Sequence, residues 1–142
     1  MRVLGIDYGD ARTGIAISDP GCLLASRLET VRETFPPKLA EKIALLAQEH
    51  GAGKIVLGNP VNMDGSEGFR SAAAKELAAL LREKTGLEVE LFDERLTTKA
   101  AHGFLNATNV RGKKRKAAID TLSAEIILQN WIDRERNLGR IS

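Results

Sequence analysis

The chain has 142 residues, of which 43% are hydrophobic and 28% charged, with a formal net charge of +2. This size and balance predict one globular domain over residues 1–142. Cys22 is the only cysteine, which excludes an internal disulfide framework and a cysteine-based zinc site. We see neither a membrane-spanning apolar run nor a signal peptide, and we expect a cytoplasmic protein.

The first strand pattern, Val3-Leu4-Gly5-Ile6-Asp7-Tyr8-Gly9, predicts a strand buried on both faces with Asp7 near its end. Gly5 and Gly9 remove side chains on either side of this carboxylate, so a ligand or another backbone can approach closely. Two interpretations of Asp7 remain open. It faces a metal or a phosphate at the centre of a sheet, or it caps the turn that follows.

A second strand from Gly14 and a third over 22–31 complete an antiparallel meander around the turn Asp19-Pro20-Gly21. Further along the chain, the patterns predict a helix from Pro36 to about His50, a strand over 54–58, a helix over 69–85, a strand over 87–92, a helix from Thr97 towards Leu105, and a last helix over about 117–136. This order predicts an α/β fold whose mixed five-stranded sheet has three antiparallel strands and then two parallel ones, flanked by helices. The polar loop over 59–68 is either a ligand loop or a plain connector.

Three elements that are distant in sequence carry carboxylates where they could meet at one edge of the sheet. Asp7 ends the first strand, Asp93 and Glu94 end the last strand, and Asp120 shares a helical stripe with Ala124. Converging carboxylates repel one another, and a divalent cation such as Mg²⁺ or Mn²⁺ resolves that conflict. Alternatively, Asp120 is an N-cap or first-turn residue, and Asp93 or Glu94 pairs with Arg95.

The stretch from residue 99 to residue 116 contains six Lys or Arg residues and no acidic one. Its densest part, Lys113-Lys114-Arg115-Lys116, stands before the predicted last helix, beside the proposed carboxylate site. Such a run can bind nucleic-acid phosphates, or it can be a solvated loop.

Taken together, these motifs resemble the YqgF/RuvX family of the RuvC-like, ribonuclease-H-like superfamily. The resemblance rests on motifs over 5–9, 12–19, 58–68, 93–98 and 113–129, in the family's order and spacing over essentially the whole chain. The chain differs from the family pattern at Asn59, where leucine is usual, and at Ser123, where alanine is more frequent.

The resemblance implies a ribonuclease-H-like nuclease domain that uses Mg²⁺ or Mn²⁺ on carboxylates corresponding to Asp7, Glu94 and Asp120. It also implies a role in maturing the 5′ end of the small-subunit ribosomal RNA precursor, or in resolving Holliday junctions. We expect the phosphate contacts to come from Arg12, Lys113, Lys114, Arg115 and Lys116. Strand alternation places Asp93 and Glu94 on opposite faces, so only one of them enters the site, and the choice between them stays open. We expect Glu94 to be the ligand, with Asp93 holding Arg95 or the following turn and Thr97 also supporting the site.

We therefore expect an endonuclease that acts on structured RNA, as a monomer or weak homodimer with no membrane association. A nuclease for branched DNA is the first alternative, and a symmetric junction would favour a dimer. A catalytically silent nucleic-acid-binding module is the second. An actin-like phosphotransferase is a minor alternative, because a chain of this size lacks the second lobe of such enzymes.

Overall fold

The computed structural model describes residues 1–59, 68–93 and 112–141, without the side chains of residues 69 and 112–123. Its elements are β1 Arg2–Tyr8, β2 Thr13–Ser18, β3 Ala25–Val31, α1 Pro36–Glu49, β4 Ala52–Asn59, α2 Phe69–Thr85, β5 Glu88–Asp93 and α3 Gly112–Asn137. The helix expected from Thr97 towards Leu105 and most of the loop over 59–68 lie outside the described residues.

The five strands form one mixed sheet in the order β3-β2-β1-β4-β5. The first three strands pair antiparallel, while β1 with β4 and β4 with β5 pair parallel. The predicted α/β architecture is therefore confirmed. β1 lies at the centre of the sheet, and its Val3, Leu4 and Ile6 are completely buried, as expected for a strand covered on both faces.

The two faces of the sheet are covered by different helices. Leu4 and Ile6 pack in one hydrophobic cluster with residues of α1 and α2, and Val3 packs in a second cluster with residues of α3. Because side chains alternate along a strand, each residue of β1 can be assigned to a face. Asp7 lies on the α3 face, and Tyr8 lies on the face of α1 and α2.

Helix α3 approaches β1 unusually closely because Gly5 has no side chain. A Cβ atom built on Gly5 would lie 2.7 Å from the Cβ of Leu128 and 3.2 Å from the carbonyl oxygen of Ala124. Any other residue at position 5 would push the helix away from the strand. The absence of this side chain fixes where α3 lies on the sheet.

Two predicted boundaries differ from the structure by three residues or more, each for a local reason. β3 begins at Ala25 rather than Cys22, because Asp19 Oδ1 accepts hydrogen bonds from the backbone N–H groups of Leu23 and Leu24, which extends the turn. The last helix begins at Gly112 rather than about residue 117. Residues 113–116 therefore belong to its first turns and not to a preceding loop, in agreement with the high helix propensity of Lys and Arg.

Within the described ranges, no helix is long and apolar enough to cross a membrane. The longest of them, α3, spans 26 residues but carries charged groups along its length.

The start of α2 is joined to the end of β4 by one partly buried hydrogen bond. The Ser71 hydroxyl is fully buried and donates to Asn59 Oδ1 at 2.7 Å. Asn59, which departs from the family's usual leucine, thus has a structural partner at the edge of the sheet.

We predict that Asn59→Leu destabilises the protein by about 1–3 kcal/mol, because it leaves the buried Ser71 hydroxyl without an acceptor. Adding Ser71→Ala should recover most of that loss, since no polar group is then left unsatisfied. Urea unfolding of the two single variants and the double variant measures the coupling. Additive losses would contradict a direct dependence of Ser71 on Asn59.

On β5, the outermost strand of the sheet, Glu90 is the centre of a charged cluster that joins β5 to β4 and α3. It accepts hydrogen bonds from Trp131 Nε1 at 3.1 Å, from Lys54 at 3.1 Å and from Arg134. Burial alone would raise the pKa of Glu90, but the hydrogen bonds from Arg134 and Lys54 outweigh it and hold this pKa below its ordinary value.

Because the pKa of Glu90 is lower in the folded state, its stabilising effect is complete above its ordinary pKa and is lost as pH falls through the folded value. We predict that Glu90→Gln destabilises by about 1–2 kcal/mol near pH 7 and by less near pH 3.5. Urea unfolding at both pH values measures the difference. Glu83→Gln, which removes an exposed carboxylate of α2 outside this cluster, is the control. A Glu90→Gln loss that is independent of pH would contradict the prediction.

Candidate functional site

Asp7 is a half-buried carboxylate at the carboxyl end of the central strand, and glycines surround it. Gly14 on β2 is the cross-strand partner of Asp7, and Gly5 precedes Asp7 by two residues on the same face of β1. On the other side, Gly58 continues β4 one residue past Leu57, the partner of Ile6. On this face of the sheet, positions 5, 14 and 58 therefore place no Cβ atom beside the Asp7 carboxylate.

The course of α3 over the sheet locates position 120 relative to Asp7. Trp131 contacts Lys54, which pairs with Val3 at the start of β1, whereas Leu128 and Ala124 contact Gly5 near the middle of that strand. The helix therefore runs towards the carboxyl end of β1 as residue numbers fall. Position 120 lies four residues, or about 6 Å along the helix axis, beyond Ala124 in that direction.

The start of α3 excludes the alternative that Asp120 is an N-cap or first-turn residue. Asp120 lies eight residues after Gly112, the first residue of the helix. The predicted apolar stripe is confirmed for its described members, since Ala124, Ile127 and Trp131 are all buried.

The carboxyl end of β5 lies at the same edge of the sheet as the end of β1. Asp93 pairs with Asn59 and is exposed. Glu94, Arg95 and Thr97 lie outside the described residues, so their assignments stay predictions. Within the part of the chain whose side chains are described, no three His, Cys, Asp or Glu side chains form a group that could hold a metal ion.

The predicted phosphate-binding residues lie in two places. Arg12 is half-buried, immediately before β2, in the turn that follows the end of β1. Residues 113–116 lie in the first turns of α3, at the end of the helix that points towards the carboxyl edge of β1. Their side chains are not described, so their phosphate contacts also stay predictions.

A cleft of about 300 Å³ lies on the opposite face of the same strand end, and the sequence analysis did not foresee it. It is lined by Tyr8, Gly9, Asp10, Pro36, Arg70, Ala73, Glu76 and Leu80. The pKa of Tyr8 is raised, first by burial and then by the negative charges of Asp10 and Glu76. The sequence signal was only Tyr8 and Gly9, since Arg70 and Glu76 read as ordinary surface residues of a helix.

Comparison with proteins of known family gives a consistent result over nearly the full chain. The family model described as "RuvX: Holliday junction resolvase" matches residues 1–134. A Myxococcus xanthus protein named "Putative pre-16S rRNA nuclease" is 42% identical over 136 residues, which cover 96% of this chain and 90% of that protein. A Halalkalibacterium halodurans protein of the same name is 44% identical over 138 residues, covering 96% and 99%.

Solved structures agree with this at the level of the fold. Thermus thermophilus RuvC in complex with a Holliday junction substrate superposes with a TM-score of 0.60 at 14% identity, covering 98% of this chain and 96% of that chain. The fowlpox virus Holliday junction resolvase gives a TM-score of 0.55 at 11% identity, covering 94% and 99%. The sheet order and the helices on both faces are thus those of the ribonuclease-H-like fold. With the family match and the relatives' identities, they establish that this chain belongs to the RuvX family.

Proposed function

We propose that this protein is a divalent-metal-dependent endonuclease that cleaves structured RNA, and that it acts in maturing the 5′ end of the 16S ribosomal RNA precursor. The observation that carries the proposal is the half-buried Asp7 at the end of the central strand, surrounded by glycines. The names of the relatives from Myxococcus xanthus and Halalkalibacterium halodurans supply the substrate.

Burying part of a carboxylate at this position is unfavourable unless something positive meets it. Gly14 and Gly58, on the two neighbouring strands, place no side chain beside the carboxylate, as a bound cation and phosphate would require. A residue whose only task was to cap a turn would not require glycine on both neighbouring strands. The surroundings of Asp7 therefore favour the metal-facing interpretation.

The backbone supports Glu94 and Asp120 as the other two ligands. Glu94 follows Asp93, which ends β5 at the same edge of the sheet. Position 120 is one turn past Ala124, on the part of α3 that extends towards Asp7. Carboxylate oxygens are the donors that Mg²⁺ and Mn²⁺ prefer, so the donor set fits the metal.

In this proposal, Asp7, Glu94 and Asp120 hold the cation in place by carboxylate coordination. When bound, it supplies activation of water for attack on the phosphodiester and stabilisation of the leaving 3′-oxygen. Arg12 contacts the scissile phosphate from the turn after β1. Strand alternation places Asp93 on the opposite face of β5 from Glu94, and in this proposal Asp93 holds Arg95 or the turn that follows, with Thr97 as a further supporting residue.

The first turns of α3 supply the second basic element. Lys113, Lys114, Arg115 and Lys116 stand at a helix N-terminus, where the helix macrodipole disfavours cations. No acidic residue in the first turn compensates them. A bound phosphate backbone would be attracted by these cations and by the dipole together.

We predict that Asp7→Asn lowers the rate of metal-dependent RNA cleavage by at least about 100-fold, because it removes a metal ligand that stabilises transition-state charge. The measurement uses a labelled 16S precursor fragment with Mg²⁺ or Mn²⁺, and a DNA four-way junction as second substrate. Asp133→Asn, an exposed change on α3, is the matched control. Thermal unfolding gives an independent readout, since the metal should raise the melting temperature of the wild type more than that of Asp7→Asn.

Each outcome of this experiment has one meaning. Cleavage of the junction alone would replace RNA maturation with junction resolution, the activity in the family's description. Equal activity of wild type and Asp7→Asn would show that the site is wrong. Salt-sensitive binding of both substrates without cleavage would favour a binding module.

We predict that Lys114→Gln with Lys116→Gln weakens RNA binding and reduces the slope of log affinity against log salt by about 1.4–1.8, the contribution of two phosphate contacts. The same double variant should be slightly more stable without RNA, because two cations leave a helix N-terminus. Fluorescence anisotropy over a salt series measures the slope. Lys42→Gln with Lys84→Gln, on α1 and α2, is the control, and an equal slope change in it would contradict the prediction.

A further inference from the structure

The cleft beside Tyr8 combines apolar walls with a polar rim. Tyr8, Pro36, Ala73 and Leu80 supply the apolar surface, and Asp10, Arg70 and Glu76 supply the polar groups. At about 300 Å³ the cleft has room for one flat heterocyclic ring system and is too small for a folded segment of a partner protein.

The cleft and the candidate metal site lie on the two sides of one strand end. Asp7 and Tyr8 are consecutive, so their Cα atoms are about 3.8 Å apart and their side chains point to opposite faces. Gly9 connects the two sides, and a Cβ on it would lie only 2.3 Å from the carbonyl oxygen of Arg12. The turn is therefore tight, and no side chain at position 9 separates the two sites.

The polar rim is suited to hydrogen-bond donors and to one phosphate. Glu76 and Asp10 are exposed and line the same cleft as Tyr8, so two acceptors lie at the rim near the aromatic ring. The Arg70 side chain is 54% exposed, and its contacts to Tyr8 and Asp10 are long, at 3.5 Å to the Tyr8 carbonyl oxygen and 3.8 Å to the Asp10 carboxylate. Its guanidinium can therefore leave these two groups at little cost to contact a phosphate or stack on a base.

We propose that this cleft binds the base of one unpaired nucleotide adjacent to the phosphodiester held at Asp7. This inference rests on the proposed function and defines its substrate further as RNA with an unstacked nucleotide at the cleavage position. The base stacks on Tyr8, the carboxylates of Glu76 and Asp10 accept hydrogen bonds from its exocyclic amino group, and Arg70 contacts its phosphate. The two carboxylates disfavour a free anion as the occupant, and they favour adenine, cytosine or guanine over uracil.

The test measures binding without divalent metal, so it does not depend on cleavage. The probes are a labelled 12-nucleotide single-stranded RNA, a series of the same RNA with one abasic position each, and the corresponding duplex. Wild type and Tyr8→Phe, which keeps the stacking ring, should lose roughly five- to 100-fold in affinity at one abasic position, the effect of one base–aromatic stack. Tyr8→Leu should bind the intact single strand more weakly by a similar factor and show no such abasic effect. Its affinity for the duplex should equal that of the wild type.

A second variant fills the cleft without changing Tyr8. Ala73→Leu should reproduce the loss for the single strand, while Ala79→Leu, an exposed change on the same helix, should not. Circular dichroism verifies that each variant is folded. An abasic effect that is equal in wild type, Tyr8→Leu and Ala73→Leu, or absent from all of them, would overturn the cleft proposal. The nuclease proposal would stand if Asp7→Asn still abolished cleavage.

Discussion

The position of α3 on the sheet depends on the missing side chain at Gly5. Because the backbone of the strand meets Leu128 and the Ala124 carbonyl directly, the helix cannot shift outward without losing contact with Val3 and Val56. The same contact fixes how far α3 extends along β1, and so it sets position 120 near the level of Asp7. A packing constraint in the middle of the strand thereby determines the geometry at its end, where the chemistry is expected.

The α/β architecture could be predicted from the sequence because its strands have strong signals. The apolar runs at Val3–Ile6 and Ile55–Leu57 have no exposed face, and α2 begins and ends where its apolar period and Gly86 predict. The errors occurred where local hydrogen bonds or propensity changed an element's end. Because the Asp19 carboxylate extends the preceding turn, β3 starts later in the chain than predicted. Because four basic residues with good helix propensity are helical, α3 starts earlier than predicted.

The candidate site was predictable only in part. Asp7 is conspicuous because a carboxylate rarely ends a buried strand, and Asp120 because it lies on an apolar stripe. The cleft was not predictable, since its walls come from β1, the turn after it, α1 and α2, and no sequence period relates Tyr8 to Arg70 or Glu76. Pairing across distant elements becomes visible only when the register of the sheet is known.

One feature of this chain reduces the stability of the free protein at the carboxyl edge of the sheet. The cations of residues 113–116 stand at the unfavourable end of the α3 macrodipole. By contrast, the charges of Glu90, Lys54 and Arg134 are matched within one cluster. Local charge that is unfavourable in the free state becomes favourable when a ligand of opposite charge binds. A phosphate backbone bound at the start of α3 would relieve this conflict, as expected for a member of a family whose description is that of a nucleic-acid-cleaving enzyme.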